Sequence, residues 1–171
     1  MTSPESRHSI LKILRALNQA KVRYLVVGGV AVILHGVDRT TRDLDVFPAL
    51  DRANLLKAVG ALTKLGFRPM LPVPAQTVAD RETRDRWIRE RNLKVFSFID
   101  SEDPLHPVDL MVVERVPFER AWPRRVRRLL QGVRVPLMSI PDLVKMKRLA
   151  GRDRDLSDIR SLRKLPRGQE K

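Results

Sequence analysis

The chain has 171 residues, 43% hydrophobic and 32% charged, with a net charge of +14. That length fits one domain or a domain with a small helical appendage, and the apolar fraction can bury a core, which excludes compositional disorder. No apolar run is long enough to span a bilayer, and the absence of cysteine excludes a disulfide framework or a thiolate metal site.

In chain order, the first stretch carries charges throughout and lacks an apolar core with a small-residue cleavage site, so no signal peptide is expected. From Ser6 to about Gln19, Ile10, Leu11, Ile13, Leu14 and Leu17 have helical spacing with one apolar face. Val22 to Val27 reads as a buried strand, broken by Gly28-Gly29. Val30 to His35 reads as a short helix ended by Gly36. Asp43 to Phe47 is a second strand, stopped by Pro48. Asp51 caps a helix through Leu55, Leu62 and Leu65 that Gly66 closes.

Pro69 to Ala79 reads as a Pro-rich loop, and Asp80 to Arg91 as either a short exposed helix or irregular chain. Lys94 to Ile99 and Val108 to Val113 are strands; the turn Ser101 to Pro104 between them suggests an antiparallel pair. Val126 to Leu130 and Val133 to Leu137 flank Gln131-Gly132 as a hairpin. Ser139-Ile140-Pro141-Asp142 signals a helix start, a final helix begins near Asp155, and the polar end, Lys164 to Lys171, is expected to fray. The expected architecture is α+β, a mixed sheet flanked by helices, with a core at 1–138 and a C-terminal helical segment at 139–171 packed on it.

Strand alternation puts Asp43 and Asp45 on one face, leaving Leu44 and Val46 for the core. Two partly buried carboxylates side by side cost several kcal/mol unless a cation compensates. Asp109 interrupts a second apolar strand in the same way. If those strands are neighbours, three hard oxygen donors converge, a set that suits Mg²⁺. Ion pairing with Arg39 and Arg42 is the plainer alternative. Gly28-Gly29 follows a buried strand and opens a helix, where backbone N–H groups favour phosphate; tight helix–sheet packing is the alternative there.

The run from Gly28 to Phe47, G-G-V-A-V-I-L-H-G-V-D-R-T-T-R-D-L-D-V-F, resembles the signature of the polymerase-β-like nucleotidyltransferase superfamily. It is most similar to the small bacterial branch that includes AbiEii and MenT type toxins. The resemblance extends to V-D-L-M-V around Asp109 and to D-L-V-K-M-K-R-L-A-G-R-D-R-D-L-S-D-I near the C-terminus. It implies a short twisted mixed sheet and in-line transfer of a nucleotide from an NTP to a hydroxyl. Position by position, it implies that Asp43 and Asp45 hold Mg²⁺ (or Mn²⁺) against the triphosphate, and that Asp109 binds a second metal and helps activate the acceptor. It places Gly28, Gly29, Arg39, Thr41, Lys147 and Asp158 at the nucleotide, with Asp155 a helix cap. Many members have Gly-Ser where this chain has Gly28-Gly29, so a phosphate-binding hydroxyl is missing here.

The +14 charge implies attraction to polyanions and long-range repulsion of strongly cationic small substrates. Three readings follow. The first is transfer to RNA, with the tRNA 3′ end as the foremost acceptor, and with a toxin role and an acidic antitoxin partner implied by the resemblance. The second is the same chemistry on a small molecule such as an aminoglycoside. The third is an inactive relative that binds nucleotide or nucleic acid. Arg124, Arg125, Arg127, Arg128 and Arg134 form a candidate RNA track on the hairpin, and Trp87 and Trp122 are candidates for base stacking or for the core. No membrane partner is expected, and a cytoplasmic location is.

Overall fold

Residues 9–166, which the computed structural model describes, begin with Ser9 capping helix α1 (Ile10–Gln19), its hydroxyl accepting from the Lys12 amide. The expected start at Ser6 lies outside the described residues. Ile13, Leu14 and Leu17 face inward, as their spacing requires. Strand β1 (Tyr24–Val27) is buried at every position and runs directly into α2 (Gly28–Leu34). Both glycines are therefore the first residues of the helix, not a break before it. Gly28 takes φ +63°, which turns strand into helix with no linker.

Strand β2 (Leu44–Pro48) starts one residue later than expected, leaving Asp43 in the approach to the strand. Asp51 caps α3 (Arg52–Lys64) as predicted. The Pro-rich stretch is more ordered than a loop: it opens with edge strand β3 (Phe67–Pro69) and contains a 3₁₀ turn at Ala75–Ala79. Helix α4 (Arg81–Arg91) follows, capped by Asp80. It is anchored, not simply exposed. Arg84 is buried and donates to the carbonyls of Val78 and Leu50, and Trp87 is buried with its ring stacked 6.0 Å from Phe96.

Strands β4 (Val95–Asp100) and β5 (Val108–Met111) precede a short helix, α5 (Phe118–Ala121), that has no clear sequence signal. Strands β6 (Val126–Leu130) and β7 (Val133–Leu137) form the expected hairpin; Gln131 and Gly132 both take positive φ, the tight turn that matches strand twist. Ser139 caps α6 (Ile140–Ala150). Helix α7 (Asp153–Arg163) begins two residues before Asp155, whose carboxylate accepts from the Arg152 amide and closes the first turn.

The strands form one mixed sheet in the order β3-β4-β5-β2-β1-β7-β6. β2 pairs antiparallel with β1 and parallel with β5; β5 pairs antiparallel with β4. Leu44, Val46, Phe96, Phe98, Val108 and Leu110 lie on one face and are all buried. Asp45, Asp109, Met111, Val95 and Ser97 occupy the other face and are half-buried. Phe47 shares that second face but is covered by Phe118 of α5, ring centroids 5.4 Å apart. The sheet is thus capped at one end of β2 and open at the other, where the carboxylates sit. Among the described residues no helix is long and apolar enough to cross a membrane.

Candidate active site

The β2–β5 register sets Asp45 directly beside Asp109. The β1–β2 register sets Asp45 opposite Val27, next to the start of α2. Together with Asp43 these residues border a cleft of about 430 Å³, a size that suits a small-molecule ligand. All nine residues singled out from the sequence line it: Gly28, Gly29, Arg39, Thr41, Asp43, Asp45, Asp109, Lys147 and Asp158. The sheet supplies its floor, and α6 with α7 supplies one wall.

Among the described residues, none of the three carboxylates on the floor makes an ion pair. Arg39 does not neutralise them; it bonds Asp158 at 2.6 Å. Burial, followed by repulsion from Asp109 and Asp43, pushes the Asp45 carboxyl up to about 7, while Lys147 and Arg152 pull the other way. Burial also raises Asp109; a Ser97 hydrogen bond opposes that rise and Asp43 adds to it. Asp109 Oδ1 is buried and has no hydrogen-bond partner among the described residues. An orphaned carboxylate oxygen beside two repelling neighbours is the arrangement a divalent cation relieves. Among the described residues no three acidic or histidine side chains are gathered into a ready-made cation cage. A cation that keeps waters and takes phosphate oxygens, such as Mg²⁺, does not require one.

The wall opposite is a closed charge network. Lys147 Nζ lies 2.7 Å from Asp158 and 3.5 Å from Asp155, and both acids and the lysine are buried. Asp158 also holds Arg39, and Asp155 holds Arg152 at 2.8 Å. Burial drives Asp155 upward, but its Arg152 hydrogen bond and the charges of Arg152 and Lys147 outweigh it and leave the acid below its ordinary range. Asp155 is therefore both the helix cap foreseen from the sequence and a member of this network. Asp158 ties the loop before β2 to both C-terminal helices.

The glycines have a packing reason. A Cβ on Gly28 would overlap the Asp45 carboxylate and lie 2.6 Å from its Cγ. A Cβ on Gly29 would lie 2.7 Å from Thr41 Oγ1 and 3.0 Å from the Arg39 guanidinium. These positions are glycine because the site's own side chains occupy the space. The hydroxyl absent from Gly29 has Thr41 next to it.

Two members of the arginine run are engaged locally, and a third sits at the hairpin end remote from the site. Arg124 is held by Asp142 at 2.7 Å, and Arg125 stacks on Trp122 at 4.0 Å. Arg134 pairs across the hairpin with Leu129, at the end of β7 remote from Leu137, whereas Leu137 lies next to Val26 on the site side. Trp87 belongs to the core, and half-buried Trp122 stacks on Phe118. His35 is packed, its Nε2 2.8 Å from the Met138 carbonyl. Sequence reasoning missed the far side of the cleft, where Lys94, Val95, Met111 and Arg115 line it. Their spacing carries no signal, because the β4–β5 pairing and the chain on either side of it bring them to the cleft.

Over residues 8–164 the sequence matches the family described as "Nucleotidyltransferase of unknown function (DUF6036)". No curated protein matches it. Among solved structures it is similar to the lincomycin-bound lincosamide antibiotic adenylyltransferase LnuA, at 16% identity and a TM-score of 0.57, over 97% of this chain and 100% of that one. It is similar to ANT(2")-Ia in complex with adenylyl-2"-tobramycin, at 15% identity and a TM-score of 0.59, over 90% of this chain and 84% of that one. It is also similar to an antigenic nucleotidyltransferase-like protein from Paracoccidioides brasiliensis, at 18% identity and a TM-score of 0.56, over 95% and 77% of the two chains. At such identities the likeness shows a shared fold. With the family model spanning nearly the whole sequence, the chain belongs to this family of nucleotidyltransferases.

Proposed function

We propose that the protein transfers a nucleotide from an NTP to a hydroxyl at the 3′ end of RNA, with tRNA the foremost acceptor. The observation that carries this reading is the cluster of three mutually repelling carboxylates, without ion pairs among the described residues, beside a wall that holds buried Lys147 and half-buried Arg39. Asp43 and Asp45 would hold Mg²⁺, with Mn²⁺ as a substitute, and Asp109 would share a second ion. Bound there, such ions supply charge stabilisation for the attacking and leaving oxygens. Arg39 and Lys147 orient the phosphates. The acceptor oxygen forms its bond to the α-phosphorus, the bond to pyrophosphate breaks, and the acceptor proton passes to Asp109.

The net charge of +14 favours an anionic acceptor over a cationic antibiotic. In a cell, capping of tRNA ends would act as a toxin, held in check by an acidic antitoxin; induced expression should then arrest growth, and an Asp45→Ala chain should not. The direct test incubates the protein with Mg²⁺, each labelled NTP in turn, and total tRNA, beside the Asp45→Ala control. Label entering RNA and vanishing in the control supports the reading. No transfer to RNA with any NTP from folded protein refutes it. The full-length match to LnuA favours one second reading, transfer to a small-molecule hydroxyl, which the same assay detects with lincosamides and aminoglycosides as acceptors.

A further inference from the structure

The two sides of the cleft differ in how their cations are used. On the α6–α7 side, Arg39, Lys147 and Arg152 are engaged by Asp155 or Asp158, and exposed Arg154 alone of the lining cations there has no acidic partner among the described residues. On the β4–β5 side, Lys94 is exposed and Arg115 half-exposed, and neither has an acidic partner among the described residues. Lys94 sits at the start of β4, just past the basic end of α4, where Arg91 is also exposed. Between the two cations the sheet face is open. Val95 pairs with Met111 there, one step along the strands from the Ser97–Asp109 pair. Alternation puts all four side chains on the face that carries Asp45, with Met111 about 7 Å from Asp109 along β5.

We infer that this open strip is the acceptor subsite, and that Lys94 and Arg115 determine specificity by binding the last phosphodiesters of a single-stranded RNA 3′ end. In-line transfer brings the acceptor to the α-phosphorus from the side opposite pyrophosphate. With phosphates held by Lys147 and Arg39, that side is the Asp109 side. Val95 and Met111 offer an apolar platform for the terminal nucleoside, flanked by two cations without acidic partners among the described residues. A neutral small alcohol would satisfy neither cation, and a polycation would be repelled by both. A single-stranded polyanion matches the platform and the charges together. This inference rests on the acceptor class proposed above but concerns binding, so it can be tested without turnover.

The test measures binding of a 5′-labelled single-stranded RNA oligonucleotide by fluorescence anisotropy across a salt series, without NTP. Each phosphate neutralised on a single strand adds about 0.7 to the slope of log K against log salt. The Lys94→Ala/Arg115→Ala chain should therefore lose about 1.4 from that slope. Wild-type protein on RNA whose last two linkages are uncharged methylphosphonates should show the same loss, a measurement independent of any variant. Variant and modified RNA combined should show no further loss. Slopes unchanged by either alteration, losses that simply add, or no measurable RNA binding would each overturn the inference. Reduced slope with no label transfer in the tRNA assay sinks the transfer reading and leaves standing only the binding of RNA phosphates by Lys94 and Arg115. Transfer to RNA with unchanged slope does the reverse.

Discussion

Replacing Asp45 by Asn should stabilise the metal-free protein at neutral and alkaline pH while abolishing transfer. In the native state the carboxyl is raised from 3.8 to about 7, by burial first and by Asp109 and Asp43 second. The unfolded chain restores its ordinary value. Below about pH 4 the carboxyl is protonated in both states and no penalty exists. As pH rises toward 7 the unfolded chain sheds the proton while the native protein retains it, so stability falls; above about 7 the loss is complete. A shift of about three units corresponds to at most about 4 kcal/mol. Solvent reaches the half-buried carboxyl through the cleft, and screening reduces the expected effect to about 1–2 kcal/mol.

Asn keeps the shape and removes the charge. Urea unfolding in a chelator at about pH 5 and about pH 8 should show wild type losing roughly two-thirds of that 1–2 kcal/mol relative to the variant between the two, the rest having been lost between about pH 4 and 5. Millimolar Mg²⁺ should raise wild-type stability at the higher pH and leave the variant unmoved, because a ligand that binds the native state adds to stability by mass action. Parallel pH profiles, or an Asn variant less stable than wild type at about pH 8, would refute the claim that the three acids stand uncompensated.

The other predictions concern the surroundings of that triad. Gly28→Ala places a Cβ against the Asp45 carboxylate at a positive φ, so it should cost about 1–2 kcal/mol in backbone strain and weaken Mg²⁺-dependent NTP binding measured by calorimetry. Asp158→Asn leaves half-buried Arg39 without its anion and buried Lys147 with Asp155 alone, and should cost about 3 kcal/mol in urea unfolding. Lys147→Met should cost less than Asp158→Asn, because Asp155 keeps Arg152 and Asp158 keeps Arg39; the opposite order would show that the lysine, not the acid, organises the network. Trp87→Ala should cost about 3 kcal/mol or more, with the salt slope of RNA binding unchanged, since the ring is a core element stacked on Phe96.

What could be read from the sequence was local. Alternation along Asp43 to Phe47 was sufficient to make two acids share a face, even though Asp43 turned out to precede the strand. Helix caps at Asp51 and Ser139 and the turn at Gln131-Gly132 were legible because each depends on a few adjacent residues. The meeting of Asp45 and Asp109 was not legible in the same way. β2 passes over β3 and β4 to pair with β5, and no local pattern specifies which strand will be its neighbour. The burial of Arg84 and Trp87 was hidden because α4 is charged on nearly every turn, so its inward face has no apolar stripe. Lys94 and Arg115 gave no signal, since a strand-start lysine and a loop arginine are ordinary surface residues until the sheet places them at the cleft.

The distribution of charge over the cleft also bears on how the site turns over. Its lining holds Arg39, Lys94, Arg115, Lys147, Arg152 and Arg154 against Asp43, Asp45, Asp109, Asp155 and Asp158, a formal excess of one positive charge. Nearly all of the +14 therefore lies outside it. A pocket with six free cations would grip a triphosphate strongly and the pyrophosphate product equally so, which lowers the ground state without favouring the transition state. Asp155 and Asp158 prevent that by occupying Lys147, Arg152 and Arg39 while fixing where they point. Those cations are preorganised by buried acids and need no rearrangement to meet charge that develops during transfer. On the proposed reading, the basic outer surface would attract a long anionic acceptor, and the near-neutral cleft would release a short anionic product.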